Sequence, residues 1–327
     1  MNLLICNSYM FIPTVITQIG LNTSEKYIVY SDLRNVIKFF QELDLPNVIV
    51  VYFNSLFKWN YTNAKRCEIL EPLSQYKIRE IYFYHGDSGC AANWVLLQYA
   101  KKTRIYNANP YNQFLSKKTY TLKALLYVVI WYLRYRVFFV PMTFGGVIVP
   151  ALSKHFYNKI NAIDIKIEIN SGVINSIIGD KISNIISGRS VVLLSGAIEV
   201  VGINTQKYQL FIDEIIKLIG TDKMVLKTHP TFTDIYGLEK QLPEIPSYFP
   251  MNLILSKFEV FIGFQTTTLA EAAIEGHKAL SLAYMLPLPT PTMADEVKAS
   301  LDIKLNGKGH IFYPKSIDDL LQYLNNC

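Results

Sequence analysis

The sequence is poor in cysteine and in charged side chains. Its 327 residues include four cysteines that are scattered and form no CxxC pair, so neither a metal cluster nor a disulfide-stapled secreted domain is expected. Only 18% of the residues are charged and 50% are hydrophobic, a balance typical of a globular chain and not of a disordered one. The first seven residues lack the basic stretch of a signal peptide. We therefore expect a globular protein of the cytoplasm.

Several motifs of familiar enzyme classes are also absent. The chain has no GxxxxGKS/T loop, which argues against an NTPase, and no GxSxG elbow. It has no acidic DxD motif, so a sugar-nucleotide transferase that depends on a divalent metal is disfavoured, and we expect neither a metal nor a cofactor. The formal charge of +6 suits an anionic partner. Because the basic residues are dispersed without an aromatic–basic recognition motif, nucleic acid is not an expected partner.

What the chain does contain is a repeated alternation of strand-like and helix-like segments. Apolar runs predict strands at 3–6, 27–30, 47–53, 78–84, 191–195, 224–227, 260–264 and 279–283. Helical spacing and start signals predict helices at 13–20, 32–43, 64–74, 91–100, 208–219, 252–256, 268–275 and 317–325. Strands that alternate with helices form mostly parallel sheets covered on both faces. We predict an α/β chain of two Rossmann-like domains, 1–185 and 186–327, with a polar linker near 151–190 and a cleft between them.

A basic, aromatic segment near 118–140 interrupts this alternation. Tyr120–Val140 contains Lys123, Arg134 and Arg136 and no acidic residue. It can be an amphipathic helix that lies on an anionic membrane surface. It can also be an internal helix between the domains with snorkelling cations. A membrane-spanning helix is the third interpretation, although cations interrupt the apolar run.

Residues 227–230 end a predicted strand with a cation, a hydroxyl and an imidazole. Pro230 fixes its own φ and biases His229 away from the helical region, so the strand should stop there and hold the imidazole on a stiffened turn. A histidine in this place can act as a general acid or can donate a hydrogen bond to a phosphate. Ligands of open α/β sheets bind outside the carboxyl ends of the strands, so we expect Lys227, His229 and Pro230 in a binding site.

Thr266, Thr267 and Thr268 lie between the next predicted strand and its helix. Their hydroxyls, the free N–H groups and the helix dipole make an anion site. Thr268 and Glu271 also fit a capping box, and a capped helix still leaves other donors free. Glu271 is a candidate acceptor of hydrogen bonds from ribose hydroxyls, although a carboxylate on a helix is often simply solvated.

Two further strand ends carry candidate residues. Ser195 and Gly196 follow the strand that opens the second half, where a loop with glycine often receives a nucleotide or pyrophosphate. In the first half, Asp87 lies between two glycines after a strand, and it can be a general base or an ordinary turn residue. His85, two residues earlier, is a competing base.

The sequences Lys-Thr-His-Pro at 227–230 and Val-Phe-Ile-Gly-Phe-Gln-Thr-Thr-Thr-Leu-Ala-Glu at 260–271 resemble motifs of the bacterial sialyltransferases. This superfamily includes the lipooligosaccharide sialyltransferases and the capsular polysialyltransferases. Its members carry an acidic motif ending in glycine in the first domain, then a His-Pro motif and a Ser/Ser or Ser/Thr motif in the second. Residues 246–255 are also similar, and the resemblance is clearest over about 190–285.

The resemblance implies a GT-B fold and an inverting, metal-independent transfer of sialic acid from CMP-Neu5Ac. The acceptor would be a hydroxyl of a galactose-type sugar on a lipid-linked bacterial glycan of the lipopolysaccharide O-antigen, lipooligosaccharide or capsule. His229 matches the His-Pro motif and would serve the leaving CMP, while Thr266–Thr268 contain the hydroxyl pair for the CMP phosphate. Asp87 would be the general base. The family motif has two acidic residues before its glycine, whereas only Asp87 is acidic here.

Two alternative functions stay open from the sequence. One is a transferase that uses another activated sugar, such as CMP-Kdo or a nucleoside-diphosphate sugar. The other is a non-catalytic nucleotide- or glycan-binding protein of a surface-polysaccharide assembly complex. If the acceptor is lipid-linked, the basic aromatic segment gains a use as a peripheral contact with the inner leaflet of the inner membrane.

Overall fold

The structure is a computed structural model that describes residues 1–53, 70–84, 103–108, 126, 129, 163–179, 181–196, 202–230 and 237–325. The chain divides into two compact units, Met1–Ile178 and Gly179–Cys327. Each unit is built on one six-stranded sheet in which every described pair of neighbouring strands is parallel.

The first unit carries a sheet in the order β3-β2-β1-β4-β5-β6. Its strands are β1 (Asn2–Ile5), β2 (Tyr27–Ser31), β3 (Val48–Tyr52), β4 (Glu80–Phe83), β5 (Arg104–Asn107) and β6 (Ile163–Asp164). Its described helices are α1 (Ile12–Leu21), α2 (Arg34–Leu43) and α3 (Ser171–Ile178). Every residue of β1 and β2 is buried, as expected for central strands with both faces covered.

The second unit carries a sheet in the order β12-β11-β10-β7-β8-β9. Its strands are β7 (Val191–Ser195), β8 (Met224–Thr228), β9 (Glu244–Ile245), β10 (Val260–Gly263), β11 (Lys278–Ser281) and β12 (Ile311–Phe312). Its described helices are α4 (Ser183–Ile186), α5 (Thr205–Ile219), α6 (Thr267–Ile274), α7 (Met293–Leu305) and α8 (Ile317–Asn325). Counted from the first strand of each unit, both sheets have the order 3-2-1-4-5-6, which is that of the Rossmann fold. The predicted α/β fold class with mostly parallel sheets is confirmed, and each of the two units has the strand order of a Rossmann fold.

Local sequence explains why α5 forms and how it packs. The side chain of Asn204 accepts a hydrogen bond of 3.0 Å from the N–H of Lys207 and so caps the first turn. Ile212 and Ile216 lie four residues apart and are both buried, which gives the helix one apolar face. Gly220 ends the helix with a φ of 98°, in the region that favours glycine.

The prediction of a linker near 151–190 is wrong for the part of that range that the structure describes. Strand β6 pairs with β5 and completes the first sheet, and α3 packs against α1. A Cβ on Gly20 of α1 would lie only 2.3 Å from Cγ1 of Val173, so glycine is what allows the two helices to approach. Helix α3 was not recognised in the sequence, because exposed polar residues interrupt its short apolar face.

The basic aromatic segment at 118–140 lies outside the described residues, apart from Leu126 and Val129. These two residues are helical, and they are 60% and 51% exposed. Across the described ranges, no helix combines the length and the apolar character needed to cross a membrane.

Candidate functional site

The candidate residues of the second unit meet at the carboxyl ends of three neighbouring strands. Strand β7 lies between β10 and β8, and Ser195 at its end pairs in register with Thr228 at the end of β8. The ends of β8 and β10 are therefore about 10 Å apart, which is two strand spacings. The boundary between β7 and β10 is also the point at which the strand order reverses, the usual ligand site of a doubly wound sheet.

Lys227 does not present its charge to this edge in the way that the sequence suggested. Its side chain is only 5% exposed, and its ammonium donates hydrogen bonds to the carbonyl oxygens of Thr228 (3.0 Å), Pro246 (3.2 Å) and Ser247 (2.9 Å). Burial lowers the pKa of Lys227 to about 8, and the nearby Glu244 carboxylate opposes that shift. All three donors of the ammonium are used within the protein, which is not the geometry expected of a ligand-binding cation. Lys227 instead fixes the chain at 246–247 against the end of β8.

Thr228 extends this buried network to strand β9. Its hydroxyl donates a hydrogen bond to Oε1 of Glu244, whose backbone pairs in register with Leu226. Thr228 thus accepts a hydrogen bond from Lys227 through its carbonyl oxygen and donates one to Glu244 through its hydroxyl, and the Glu244 carboxylate is near enough to favour the charged form of Lys227. The network holds the end of β8, directly before His229, in place.

His229 directly follows the last residue of β8 and is partly buried, with Pro230 in the turn after it. Burial lowers the pKa of His229 below its usual value, and the positive charge of Lys227 lowers it further. Both effects favour the neutral form of the imidazole in the protein without a ligand. In that form it can donate one hydrogen bond, and an anion close to it would raise its pKa again.

The loop between β10 and α6 is held in place from two sides. The buried hydroxyl of Ser281 donates a hydrogen bond of 2.8 Å to the carbonyl oxygen of Phe264. A Cβ on Gly263 would lie 3.0 Å from Cβ of Leu194 on the neighbouring strand β7, so the absence of a side chain there lets the strands lie close together. The loop that carries the threonines is thus anchored to β11 and packed on β7.

Thr266, and not Thr268, is the residue that caps α6. Thr266 has an extended backbone, and its hydroxyl oxygen accepts a hydrogen bond of 3.4 Å from the N–H of Thr268. The predicted capping box between Thr268 and Glu271 is therefore wrong, because the helix begins at Thr267, two residues too early for it. Thr266 and Thr268 are partly buried, whereas Thr267 is exposed at the first helical position.

Lys304 is a residue of this site that the sequence did not reveal. It lies in the last turn of α7, and its ammonium donates a hydrogen bond of 3.2 Å to the hydroxyl oxygen of Thr267. Lys304 and Thr267 are 37 positions apart, and the sequence between them contains no motif that would pair them. The helical spacing of Ala294, Val297 and Leu301 could have revealed the helix α7 itself, but not its contact.

Glu271 lies one turn along α6 from Thr267 and is partly buried. Burial raises the pKa of Glu271 above its usual value, the neighbouring Glu275 adds to the rise, and Lys304 opposes it. Its carboxyl group is thus close to the same edge and partly shielded from water. It can accept hydrogen bonds from a hydroxylated ligand.

Ser195 and Gly196 complete this edge of the second sheet. Ser195 is 7% exposed and ends β7, between the two other strand ends. Among the described residues, no atom lies within 4 Å of where a Cβ on Gly196 would be, so the backbone there is open to a close approach.

Asp87 and His85 lie outside the described residues. The chain leads to them from β4, which pairs with β1 where the strand order of the first sheet reverses. Their assignment as general bases therefore stays a prediction.

The donors at this edge suit an anionic ligand. They are the hydroxyls of Thr266 and Thr267, the first N–H groups of α6, the imidazole of His229 and the ammonium of Lys304. In the described part of the chain, no three His, Cys, Asp or Glu side chains are grouped so that they could hold a metal ion.

No protein-family model matches the chain, and no curated protein matches it. Solved structures do show a likeness in fold. The chain is 14% identical to the UDP-GlcNAc 2-epimerase from Neisseria meningitidis, with all of this chain and 91% of the other covered and a TM-score of 0.47. It is 11% identical to the α/β-galactoside α-2,3-sialyltransferase from Photobacterium phosphoreum, with 95% and 98% covered and a TM-score of 0.47.

A third likeness is to the ADP-heptose lipopolysaccharide heptosyltransferase II from E. coli. The identity is 12%, the coverage is 99% of this chain and 97% of the other, and the TM-score is 0.40. At such identities and TM-scores, these likenesses leave the activity of the chain open.

Proposed function

We propose that the chain is an inverting, metal-independent glycosyltransferase that moves sialic acid from CMP-Neu5Ac to a hydroxyl of a galactose-type sugar on a bacterial surface glycan. The observation that carries the proposal is the meeting of the ends of β7, β8 and β10 at the switch point of the second sheet. That edge combines an imidazole, threonine hydroxyls and a helix N-terminus. Two of its segments, 227–230 and 260–271, resemble the sialyltransferase motifs.

The donor phosphate binds at the start of α6 in this account. The Thr266 and Thr267 oxygens each accept one hydrogen bond within the protein. Their O–H groups remain to donate, because a hydroxyl can accept and donate at once. Thr268 adds a third hydroxyl, and Gly196 allows the donor to approach the backbone beside Ser195. Glu271 accepts hydrogen bonds from the ribose.

His229 serves the leaving group. The phosphate of the bound donor carries one negative charge and gains a second as its bond to C2 breaks. This charge raises the pKa of the imidazole and favours its protonation. His229 then donates a hydrogen bond or a proton to the phosphate oxygen as it departs. Lys227 and Pro230 act indirectly, because Lys227 fixes the chain beside the imidazole and Pro230 stiffens the turn that holds it.

The bonds that form and break in the proposed transfer, and the protons that move, require neither a metal nor another cofactor. The acceptor hydroxyl oxygen forms a bond to C2 of the sialic acid, on the face opposite the phosphate, while the bond from C2 to the phosphate oxygen breaks. Asp87 takes the hydroxyl proton, and His85 is the alternative base. CMP leaves with the proton or hydrogen bond from His229, and the configuration at C2 is inverted.

The acceptor is proposed to be lipid-linked, with the basic aromatic segment at 118–140 in contact with the anionic inner leaflet. Flotation with vesicles that contain anionic lipid tests this contact. Retention at low salt that is lost in neutral vesicles supports it. Complete recovery in the unbound fraction with both kinds of vesicle contradicts it.

The reaction is tested by CMP release from CMP-Neu5Ac in the presence of a galactose-terminated acceptor. We expect His229→Ala to lose at least about a hundredfold in rate, the usual scale for a general acid, and Asp87→Ala to lose a similar factor. His310→Ala is the matched control, because His310 is exposed and precedes β12 at the amino edge of the sheet. Equal rates in all variants would refute the mechanism.

Three other outcomes correct parts of the proposal. Loss of activity in His85→Ala with an active Asp87→Ala moves the base to His85. Turnover of CMP-Kdo without turnover of CMP-Neu5Ac changes the sugar that is transferred. CMP binding without release from any donor and acceptor identifies a nucleotide- or glycan-binding protein in place of an enzyme.

A further inference from the structure

We infer that Lys304, and not the Lys227 that the sequence placed in the binding site, supplies the positive charge that binds the donor phosphate. The inference rests on the proposed function, because it takes the phosphate to bind at Thr267. It starts from one contact, the hydrogen bond of 3.2 Å from the ammonium of Lys304 to the hydroxyl oxygen of Thr267.

The two lysines differ in how many hydrogen-bond donors of their ammonium groups remain for a ligand. Lys227 is buried and donates to three backbone carbonyl oxygens, so a ligand would have to break those bonds to reach it. Lys304 is exposed, and within the part of the chain that the structure describes its ammonium makes one hydrogen bond, to a neutral hydroxyl. An ammonium has three donors, so two of them remain for water or a ligand.

Among the described residues, the ammonium of Lys304 has no close ion-pair partner. Glu271, one turn along α6, is near enough for its charge to raise the pKa of Lys304, but loss of water around the ammonium has the larger effect and lowers that pKa. Within the described residues, neither Glu271 nor any other carboxylate comes within 4.0 Å of the Lys304 ammonium. An anion would therefore find an available counter-charge.

The position of the Lys304 ammonium also favours contact with a phosphate. Thr267 is the first residue of α6, so a phosphate that accepts a hydrogen bond from its hydroxyl lies against the free N–H groups of the helix. The ammonium that contacts the same hydroxyl is then within reach of a phosphate oxygen. Because Lys304 and Thr267 lie on different helices, a phosphate bound by both would contact α7 and α6 together.

The test compares a nucleotide with its nucleoside. Calorimetric titration with CMP and with cytidine is made on wild type, Lys304→Met, Lys304→Arg and Lys308→Met. The last variant removes the same charge from an exposed lysine four residues away and is the control for net charge. Lys304→Arg keeps the charge at the site.

We expect Lys304→Met to weaken CMP binding by about tenfold, the scale of one charge-assisted hydrogen bond, and to leave cytidine binding within about twofold. Lys304→Arg should restore most of the CMP affinity, and Lys308→Met should match wild type. An equal effect on CMP and cytidine, or a Lys304→Met variant that matches Lys308→Met, overturns the inference.

Failure of the inference is distinct from failure of the proposed function. If wild type binds CMP and Lys304→Met binds it equally well, only the role of Lys304 is lost. If wild type binds UDP in place of CMP, the proposed donor is wrong, and the same comparison is made with UDP and uridine. If wild type binds no nucleotide, both the proposed function and the role of Lys304 are overturned.

Discussion

The ammonium of Lys227 lies 2.9 Å from the carbonyl oxygen of Ser247, so a buried cation in β8 holds the chain that follows β9. The same ammonium bonds to the carbonyl oxygen of Pro246. The segment at 246–247 is thereby fixed beside the strand end that carries His229. Lys227, which the sequence placed in a binding site, thus makes its hydrogen bonds within the protein.

Replacing Lys227 with methionine should destabilise the second unit by about 3 kcal/mol. The change removes the cost of a buried charge, but it leaves three carbonyl oxygens and the Glu244 carboxylate without their cation. Native-state hydrogen exchange of the β7 and β8 amides measures the loss. Lys223→Met, which alters an exposed lysine just before β8, should stay within about 0.5 kcal/mol of wild type. Equal protection in both variants would contradict the structural role.

The capping contribution to the free energy of unfolding should be lost on replacing Thr266 and not on replacing Thr268. Thr266→Ala should cost about 1 kcal/mol, because the N–H of Thr268 loses its acceptor, while Thr266→Ser should keep the cap. Chemical denaturation followed by circular dichroism measures both variants. A larger loss in Thr268→Ala than in Thr266→Ala would restore the capping box that the sequence suggested.

The imidazole of His229 should titrate below its usual pKa in the free protein and higher in the complex with CMP. Burial and the charge of Lys227 disfavour the imidazolium, and the phosphate favours it. CMP affinity should therefore increase as the pH falls from the pKa of the complex to that of the free protein, since the complex binds a proton more tightly. NMR titration of the histidine side chains measures both values, with His229→Ala for assignment.

His229→Ala also separates this effect from the titration of CMP itself. Any pH dependence that comes from the nucleotide phosphate persists in His229→Ala, and the part that comes from the imidazole disappears. Lys227→Met should raise the pKa of His229 in the free protein, because it removes the second cause of the shift. An unchanged His229 titration on addition of CMP would contradict contact with the phosphate.

The central strands with continuous apolar runs could be predicted well, whereas β5, which begins with Arg104 and ends with Asn107, was not predicted. The prediction for β7 agrees with the structure at both ends, and that for β8 differs by one residue. Parallel strands buried on both faces need apolar residues at every position, and this pattern is visible without knowledge of the neighbours. The strand ends and their candidate residues followed from it.

Short edge strands were missed for the opposite reason. Strands β6, β9 and β12 are two residues long, so they carry no periodic pattern, and they form because a neighbouring strand offers free backbone groups. Strand β9 matters for the site, because it places Glu244 beside Thr228.

The contacts of the two lysines depend on tertiary structure alone. Lys227 follows two apolar residues at a strand end, and the sequence cannot show that the turn at 246–247 folds over it. Lys304 is far from Thr267 along the chain and reaches it because α7 packs on α6. The sequence alone therefore cannot distinguish the lysine that the protein buries at the end of β8 from the one whose ammonium lies at the start of α6.

Calorimetric titration of wild type, His229→Ala and His310→Ala with CMP, UDP and GDP tests the proposed donor site most directly. We expect wild type and His310→Ala to bind CMP alike and to bind UDP and GDP at least about tenfold more weakly. We also expect His229→Ala to lose at least about tenfold in CMP affinity, the scale of a charge-assisted hydrogen bond. Preferred binding of UDP or GDP, or equal CMP affinity in the two histidine variants, would contradict it.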